Sequence, residues 1–291
     1  RGITVYKDRL WVTQETTNPK RIVGWDLDPA EVAVQLFGNP PYGSPGAGFD
    51  PADKTRWIGQ NVLWRLDFDR ESARVTHIPK LQPGHLGGLI GSMRAYEFHH
   101  HKASGRTFVI GTGNHLQLVS ELMPDGTLRD LAAISTTHHF HYATHWRMDG
   151  PYVEAMAKRF PAASPRNQYG DVRGVGVMWT DRNGDSACQP DEFNFADPGS
   201  NWRHDRWGSV QKSLTYHTTV ALDDGTHRRV RFEPRGFNDV GAPIYPSFEQ
   251  AIAGGIAITG KPESGFDWTG LQVAHARDRF KNLIMLSHPI V

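Results

Sequence analysis

Apolar and polar positions alternate with a period of two along most of this chain, the pattern of half-buried strands rather than helices. In residues 9–14 Leu10 and Val12 alternate with Trp11 and Thr13; with residues 3–6, 21–26 and 31–37 this predicts four short strands separated by the turns KD, TTNPK and LDPA. A second set follows at residues 93–99, 106–111, 116–122 and 128–135, broken by HKASG, GTGNH and MPDGT. Each set has the length of one four-stranded propeller blade. Further strands are expected at residues 61–67 and 74–79 around FDRESA, at 175–179, at 214–221 and 228–233 about the Asp224-Gly225 turn, and at 256–259, 272–275 and 282–287. One short helix, YVEAMAKR, is expected at residues 152–159.

Two stretches break the rhythm. Residues 38–60 form a loop insertion rich in glycine and proline, longer than an ordinary connection, and its Tyr42, Phe49 and Trp57 beside Asp50 and Asp53 suggest an ordered loop over one face. Residues 136–173 are irregular and rich in histidine. The pattern as a whole predicts an all-β fold, a single β-propeller domain over residues 1–291 with about six blades, incomplete if sequence is missing at either end.

Composition narrows this picture. Thirty glycines, nineteen prolines, nine tryptophans and fourteen phenylalanines in 291 residues fit many short strands joined by tight turns, and favour all-β over α/β. A formal charge of +1 gives no global field toward nucleic acid or anionic membrane. The locally basic HRRVR of residues 227–231 reads as a solvated strand edge. One cysteine excludes an internal disulfide, and no apolar run reaches the ~18 residues of a membrane span. The chain opens at Arg1 in strand-like sequence without a signal peptide, and reads as a trimmed piece of a longer protein.

The most specific chemistry lies in DRNGDSACQPDE, residues 181–192. Calcium takes six to eight oxygen ligands, which an EF-hand loop delivers from its first, third, fifth, seventh, ninth and twelfth positions. Those positions hold Asp181, Asn183, Asp185, the Ala187 carbonyl, Gln189 and Glu192. The sixth position, where the chain turns sharply and glycine is expected, is Ser186, and a side chain there costs about 1–2 kcal/mol. Cys188 should pack inward and Pro190 should open a short exit helix. Without metal the same residues would make an acidic Asn-Gly turn.

Several stretches together resemble a family: FGNPPYGSPGAGFDPADKTRW, VLWRLDFDRESARV, RTFVIGTG, VMWTDRNGDSACQPDEF and RFEPRGFNDVGAPIYPSF, in that order, are similar to large secreted bacterial proteins of planctomycete type. These are NHL-like or six-bladed β-propellers with an inserted EF-hand-like loop. The resemblance covers most of residues 1–250 and implies a calcium-containing propeller, secreted or periplasmic; it implies no reaction. Two features depart from the family: Ser186 in place of the loop glycine, and the richness of residues 136–173 in histidine.

Those histidines, with others, raise further candidates. His99, His100 and His101 form one cluster, and His138, His139, His141 and His145 another, with His115 between them; zinc would need three or four converging ligands. His139, His141, Tyr142 and Arg147 are the candidate catalytic set of a polysaccharide lyase or hydrolase, as base and carboxylate-holding groups. Serine elbows, phosphate loops and dinucleotide fingerprints do not occur in the sequence. Trp202 and Trp207, in the polar SNWRHDRWGS, are the tryptophans expected to be exposed for stacking on sugars. The leading functional expectation is therefore a secreted calcium-binding propeller that binds carbohydrate or a protein partner, and the second an extracellular carbohydrate-active enzyme.

Overall fold

A computed structural model of the chain describes residues 3–14, 21–37, 47–59, 62–77, 93–113, 116–137, 140, 151–161, 175–196, 200–203, 214–258, 272–275 and 284–287. It is mostly β. The first sheet is a four-stranded antiparallel meander, β1 (Ile3–Tyr6), β2 (Arg9–Gln14), β3 (Arg21–Leu27) and β4 (Ala30–Phe37). Trp11 pairs with Gly24 across β2 and β3, and a Cβ on Gly24 would stand 3.0 Å from the indole ring. Glycine there lets the tryptophan lie flat on the sheet and bury itself.

The second sheet consists of β5 (Ala47–Phe49), β6 (Arg56–Gly59), β7 (Val62–Asp67) and β8 (Ser72–His77). Two of its strands lie inside the stretch expected to be loop, because Phe49 pairs with Trp57, and Trp57 with Trp64 at a ring separation of 5.6 Å. Residues 38–46 lie outside the described part.

The third sheet is larger than a blade. To β9 (Met93–His101), β10 (Arg106–Gly113), β11 (Leu116–Leu122) and β12 (Leu128–Thr136) it adds β13 (Gly176–Thr180) and β14 (Phe193–Phe195), all antiparallel neighbours in sequence order. Between β12 and β13 stands α1 (Pro151–Arg159), whose Tyr152 hydroxyl donates to the Thr137 carbonyl at 2.7 Å and whose ring meets Phe140 and Phe193. The fourth sheet is β15 (Ser200–Arg203), β16 (Tyr216–Leu222), β17 (His227–Phe232) and β18 (Ile256–Ile258), with α2 (Phe248–Ala253) packed on β17. A two-stranded ribbon, β19 (Gln272–His275) and β20 (Ile284–Ser287), completes the described elements.

The four blade-like sheets stand in a propeller arrangement: β1 lies against β5, β5 against β9, and β13 against β15. First strands of successive meanders thus meet along the first two seams, as blades do around an axis. One large core runs from Ile58 and Leu63 of the second sheet through the third and fourth sheets to Ala251, and a smaller one joins Trp11, Ile22, Val34, Trp57 and Leu66 across the first seam. The second seam has a polar rivet. Asp50 is 1% exposed, accepts from the Ala52 amide at 2.9 Å and meets His100 Nε2 at 2.5 Å, while His100 Nδ1 meets Thr107 Oγ1 at 3.1 Å. Asp50→Ala should take the acceptor from the Ala52 amide and from His100 Nε2 and cost about 1–3 kcal/mol. A urea midpoint that falls at unchanged slope would register it; an unchanged midpoint would show the rivet to be idle.

Two segments lie deeper in the fold than their sequence suggests. The HRRVR segment is β17, an interior strand between β16 and β18, with Arg229 and Val230 buried, so it is no solvated edge. Arg229 reaches this depth by bonding across the sheet, with Nη1 3.3 Å from Thr219 Oγ1. Trp202, expected at the surface, is 3% exposed and packs against Phe232 and Phe248 at 5.9 and 4.8 Å. Trp207 lies outside the described residues.

Candidate functional site: the loop of residues 181–192

The loop joins β13 to β14 and so closes a β-hairpin, with Trp179 opposite Phe193 at its neck. Helices do not flank it; one turn of 3-10 helix, Pro190–Glu192, leads out of it, as the proline at its start favours. The loop is tied to β12 by the Asp181 amide, which donates to the Leu131 carbonyl at 2.9 Å.

Four of the loop's side chains, Asp181, Asn183, Asp185 and Glu192, fold back on its backbone. Asp181 accepts from the Gly184 amide at 2.7 Å through Oδ1 and from the Ser186 amide at 3.2 Å through Oδ2. Asn183 Oδ1 accepts from the Asp185 amide at 3.0 Å, and Asp185 Oδ1 from the Ala187 amide at 2.7 Å. Glu192 closes the ring: Oε1 accepts from the Arg182 amide at 2.7 Å, and Oε2 from Trp179 Nε1 at 2.9 Å and the Gln189 amide at 3.0 Å. Asp181 and Glu192 are 0% and 2% exposed, so these bonds replace their lost hydration.

The turn falls where the ligand spacing puts it. Ser186, at the sixth position, has φ +59°, and Gly184 has φ +85°. The left-handed residue that an EF-hand loop needs is therefore present, carried by a serine at the cost of a crowded Cβ.

Whether the residues fit a cation can be judged from their oxygens. A carboxylate oxygen offers two lone pairs, so Asp181 Oδ1 and Oδ2, Asp185 Oδ1 and Glu192 Oε1, each accepting one amide, keep one for a ligand. Ser186 Oγ and Gln189 Oε1 are buried with no hydrogen-bond partner. Two contacts run the other way: Asn183 Nδ2 and Gln189 Nε2 both donate to Asp185 Oδ2 at 2.9 Å, presenting nitrogen where a cation needs oxygen. Among the described residues no three His, Cys, Asp or Glu side chains gather as a metal-binding group. The donor set suits calcium in kind, and rotation of the two amides would bring their oxygens round.

Cys188 points inward, packed against the main core, as expected of the eighth position. Burial pushes its thiol up, and Glu192, Asp130, Asp181 and Asp185 add to the effect. It is held as thiol, not as nucleophile, so alkylation by iodoacetamide at pH 8 should be slow in the folded protein and fast in urea. Equal rates would contradict this packing.

The other candidates separate. His139, His141, Tyr142 and Arg147, with His115, His138 and His145, lie outside the described residues. The cluster on β9 divides, because strand neighbours face opposite sides. His100 belongs to the Asp50 rivet, whereas His99 and His101 share the other face, with rings 6.3 Å apart, against Phe108 and Phe237. His99 has its proton affinity lowered first by burial and then by His101 and His100.

A feature that sequence reading missed holds the loop from behind. Residues 235–244 form a small hairpin in which the Arg235 amide donates to the Ile244 carbonyl and the Ile244 amide to the Gly236 carbonyl. Asn238 Nδ2 donates to the Asp181 carbonyl at 2.8 Å, and Val240 packs over Gly184, 3.1 Å from where a Cβ would stand. Arg106 Nη1 and Arg129 Nη2 donate to the Val240 carbonyl at 3.1 and 2.8 Å, with Glu121 accepting from Arg129 at 2.6 Å. Only the NDVG turn chemistry hinted at this hairpin in sequence.

No protein-family model matches the chain, and no curated protein matches it. Among solved structures it is similar to a Lactobacillus plantarum protein at 12% identity and a TM-score of 0.33, covering 84% of this chain and 69% of that one. It is similar to Kluyveromyces lactis Hsv2 at 8% identity and 0.29, covering 80% and 63%. A quinonprotein alcohol dehydrogenase-like protein of Bacteroides thetaiotaomicron gives 9% and 0.24, covering 84% and 65%. The chain spans less than two thirds of the length of the latter two.

Proposed function

We propose that the chain is a calcium-binding β-propeller module of about six blades, secreted or periplasmic, that engages carbohydrate or a protein partner. The observation that carries the calcium part is the left-handed Ser186 at the sixth position of a loop whose first and last ligand positions, Asp181 and Glu192, are buried carboxylates. Asp181, Asn183, Asp185, the Ala187 carbonyl, Gln189 and Glu192 would hold the ion. Bound calcium would cross-link the β13–β14 neck. Residues 235–244 rest on the same loop, so the ion would steady the third sheet rather than switch it; switching by calcium works through a helix pair that opens, and this loop has none.

Ser186 also bears on compartment. A serine at positive φ weakens the loop by about 1–2 kcal/mol, which suits the 10⁻⁴–10⁻³ M range typical of extracellular calcium modules. Melting with millimolar calcium and with chelator tests the calcium reading. With a Kd in that range, 10 mM calcium should add about 1.4–2.7 kcal/mol, and Ser186→Gly should tighten binding. Superimposable transitions, with no calcium retained by elemental analysis, would refute it. The module reading is tested by binding of the calcium-loaded protein to a panel of neutral and uronate oligosaccharides and of peptides, where a saturable ligand is expected and none would refute it.

A further inference from the structure

A cavity of about 490 Å³ opens at the seam of the first two sheets, far in sequence from the calcium loop. Three turns surround it: Lys7-Asp8 between β1 and β2, Asp28-Pro29 between β3 and β4, and residues 68–71 between β7 and β8. Its floor is aromatic. Phe68 lies 4.6 Å from Trp11, edge to face, and 4.7 Å from Tyr6, so the ring stands fixed between two others.

The charges around the mouth do not cancel. Lys7 and Arg9 line the cavity, but Lys7 is paired with Asp69, and Arg9 with Asp26 at 2.6 Å and Glu71 at 3.2 Å. Asp8 and Asp28 also line it and make no ion pair or hydrogen bond among the described residues through their side chains. Three carboxylates therefore face two cations in the lining, and Asp69 and Glu71 beyond it add two more negative charges. An anion would meet two cations already committed and two carboxylates that are not. A cation with an apolar stem would meet free carboxylates above an aromatic floor, the arrangement that attracts ammonium and guanidinium groups.

The turn that supplies Asp8 is not the one stability alone would select. Tyr6 pairs with Arg9, leaving a two-residue turn with Lys7 at φ +49° and Asp8 at φ +59°. Such turns usually take Asn-Gly, and other residues cost about 1–2 kcal/mol each there. Here the cost places two charged side chains at the cavity.

We infer that this cavity receives a lysine or arginine side chain of a protein partner, with Asp8 and Asp28 holding its charge and Phe68 its stem. The inference rests on the binding-module reading and selects protein over carbohydrate; it involves none of the calcium ligands. The test is calorimetric titration of the calcium-loaded chain with N-acetyl-lysine methylamide, N-acetyl-arginine methylamide and the neutral N-acetyl-norleucine methylamide. At least one cationic probe should bind about tenfold or more tighter than norleucine, and weaken about tenfold in Asp8→Asn/Asp28→Asn. Both positions are exposed, so the double variant should fold. Asp223→Asn/Asp224→Asn, on the remote β16–β17 turn, should bind as wild type does. Norleucine binding as well as the cations, no saturable cation binding, or a double variant equal to wild type would each overturn the assignment. If the cations fail while an oligosaccharide or uncharged peptide from the panel binds, the cavity assignment falls and the module reading stands; if all fail, both fall.

Discussion

Glu192→Ala should be the most damaging single change in the loop, lowering stability by about 3–5 kcal/mol even in chelator. The carboxylate takes N–H donors from Trp179, Arg182 and Gln189, and Trp179 is fully buried, so its indole N–H would be left without water or partner. Glu192→Gln keeps the shape and one acceptor oxygen but turns an NH₂ group toward donors, so its loss should be smaller, about 2 kcal/mol. Urea denaturation separates the two roles of the residue. In chelator the loss measures the hydrogen-bonded frame alone; in calcium wild type gains and the variants do not, so the gap should widen. A gap equal in both conditions would leave Glu192 a frame residue and remove it from the ion.

Gly241→Ala should cost about 2–4 kcal/mol, through a different route. Gly241 sits at φ +89°, and its new Cβ would stand 1.1 Å from Arg106 Nη1. The guanidinium is a flexible end, yet moving it breaks its bond to the Val240 carbonyl and its approach to Glu121 at 3.7 Å. That contact is one of two arginine bonds holding the 235–244 hairpin behind the loop. Gly225→Ala is the control: φ is +80°, and nothing lies within 4 Å of the added carbon, so only the backbone cost of about 1 kcal/mol should appear. Equal losses at the two glycines would show that the arginine clamp contributes nothing.

Strands whose faces differ were legible from the pattern. β1 to β4, β9 to β12 and α1 lie within two residues of the marked positions; β11 and β12, buried on both faces, were marked by the turns that bound them rather than by alternation. β5 and β6 were hidden because strands of three and four residues in glycine-rich sequence carry too few positions to show a period. Trp202 was misread because its neighbours in sequence are polar, while the Phe232 and Phe248 that cover it are distant in the chain. Arg229 was misread for a related reason: its burial depends on cross-sheet partners, which a run of basic letters conceals. His99 to His101 resembled a cluster in sequence and split in space, since a strand sends neighbours to opposite faces.

The turn chemistry of residues 181–192 was legible because it is local. Asn183 and Asp185 bond amides two residues ahead, and Asp181 bonds amides three and five ahead, so residue order alone fixes which group meets which. What sequence did not reveal is that the loop closes a hairpin at the margin of a six-stranded sheet, with Asn238 and Val240 behind it. Those contacts link residues far apart, and no period records them.

The indole of Trp179, bonded to Glu192, gives the most direct test of the proposed calcium binding. Terbium, a luminescent stand-in for calcium, should show green emission on tryptophan excitation, saturating at one ion per chain and displaced by calcium. The emission should fall sharply in Trp179→Phe and vanish in Asp181→Asn/Glu192→Gln. No sensitised emission from the wild-type protein, or emission that calcium leaves unchanged, would contradict a calcium ion in the loop of residues 181–192.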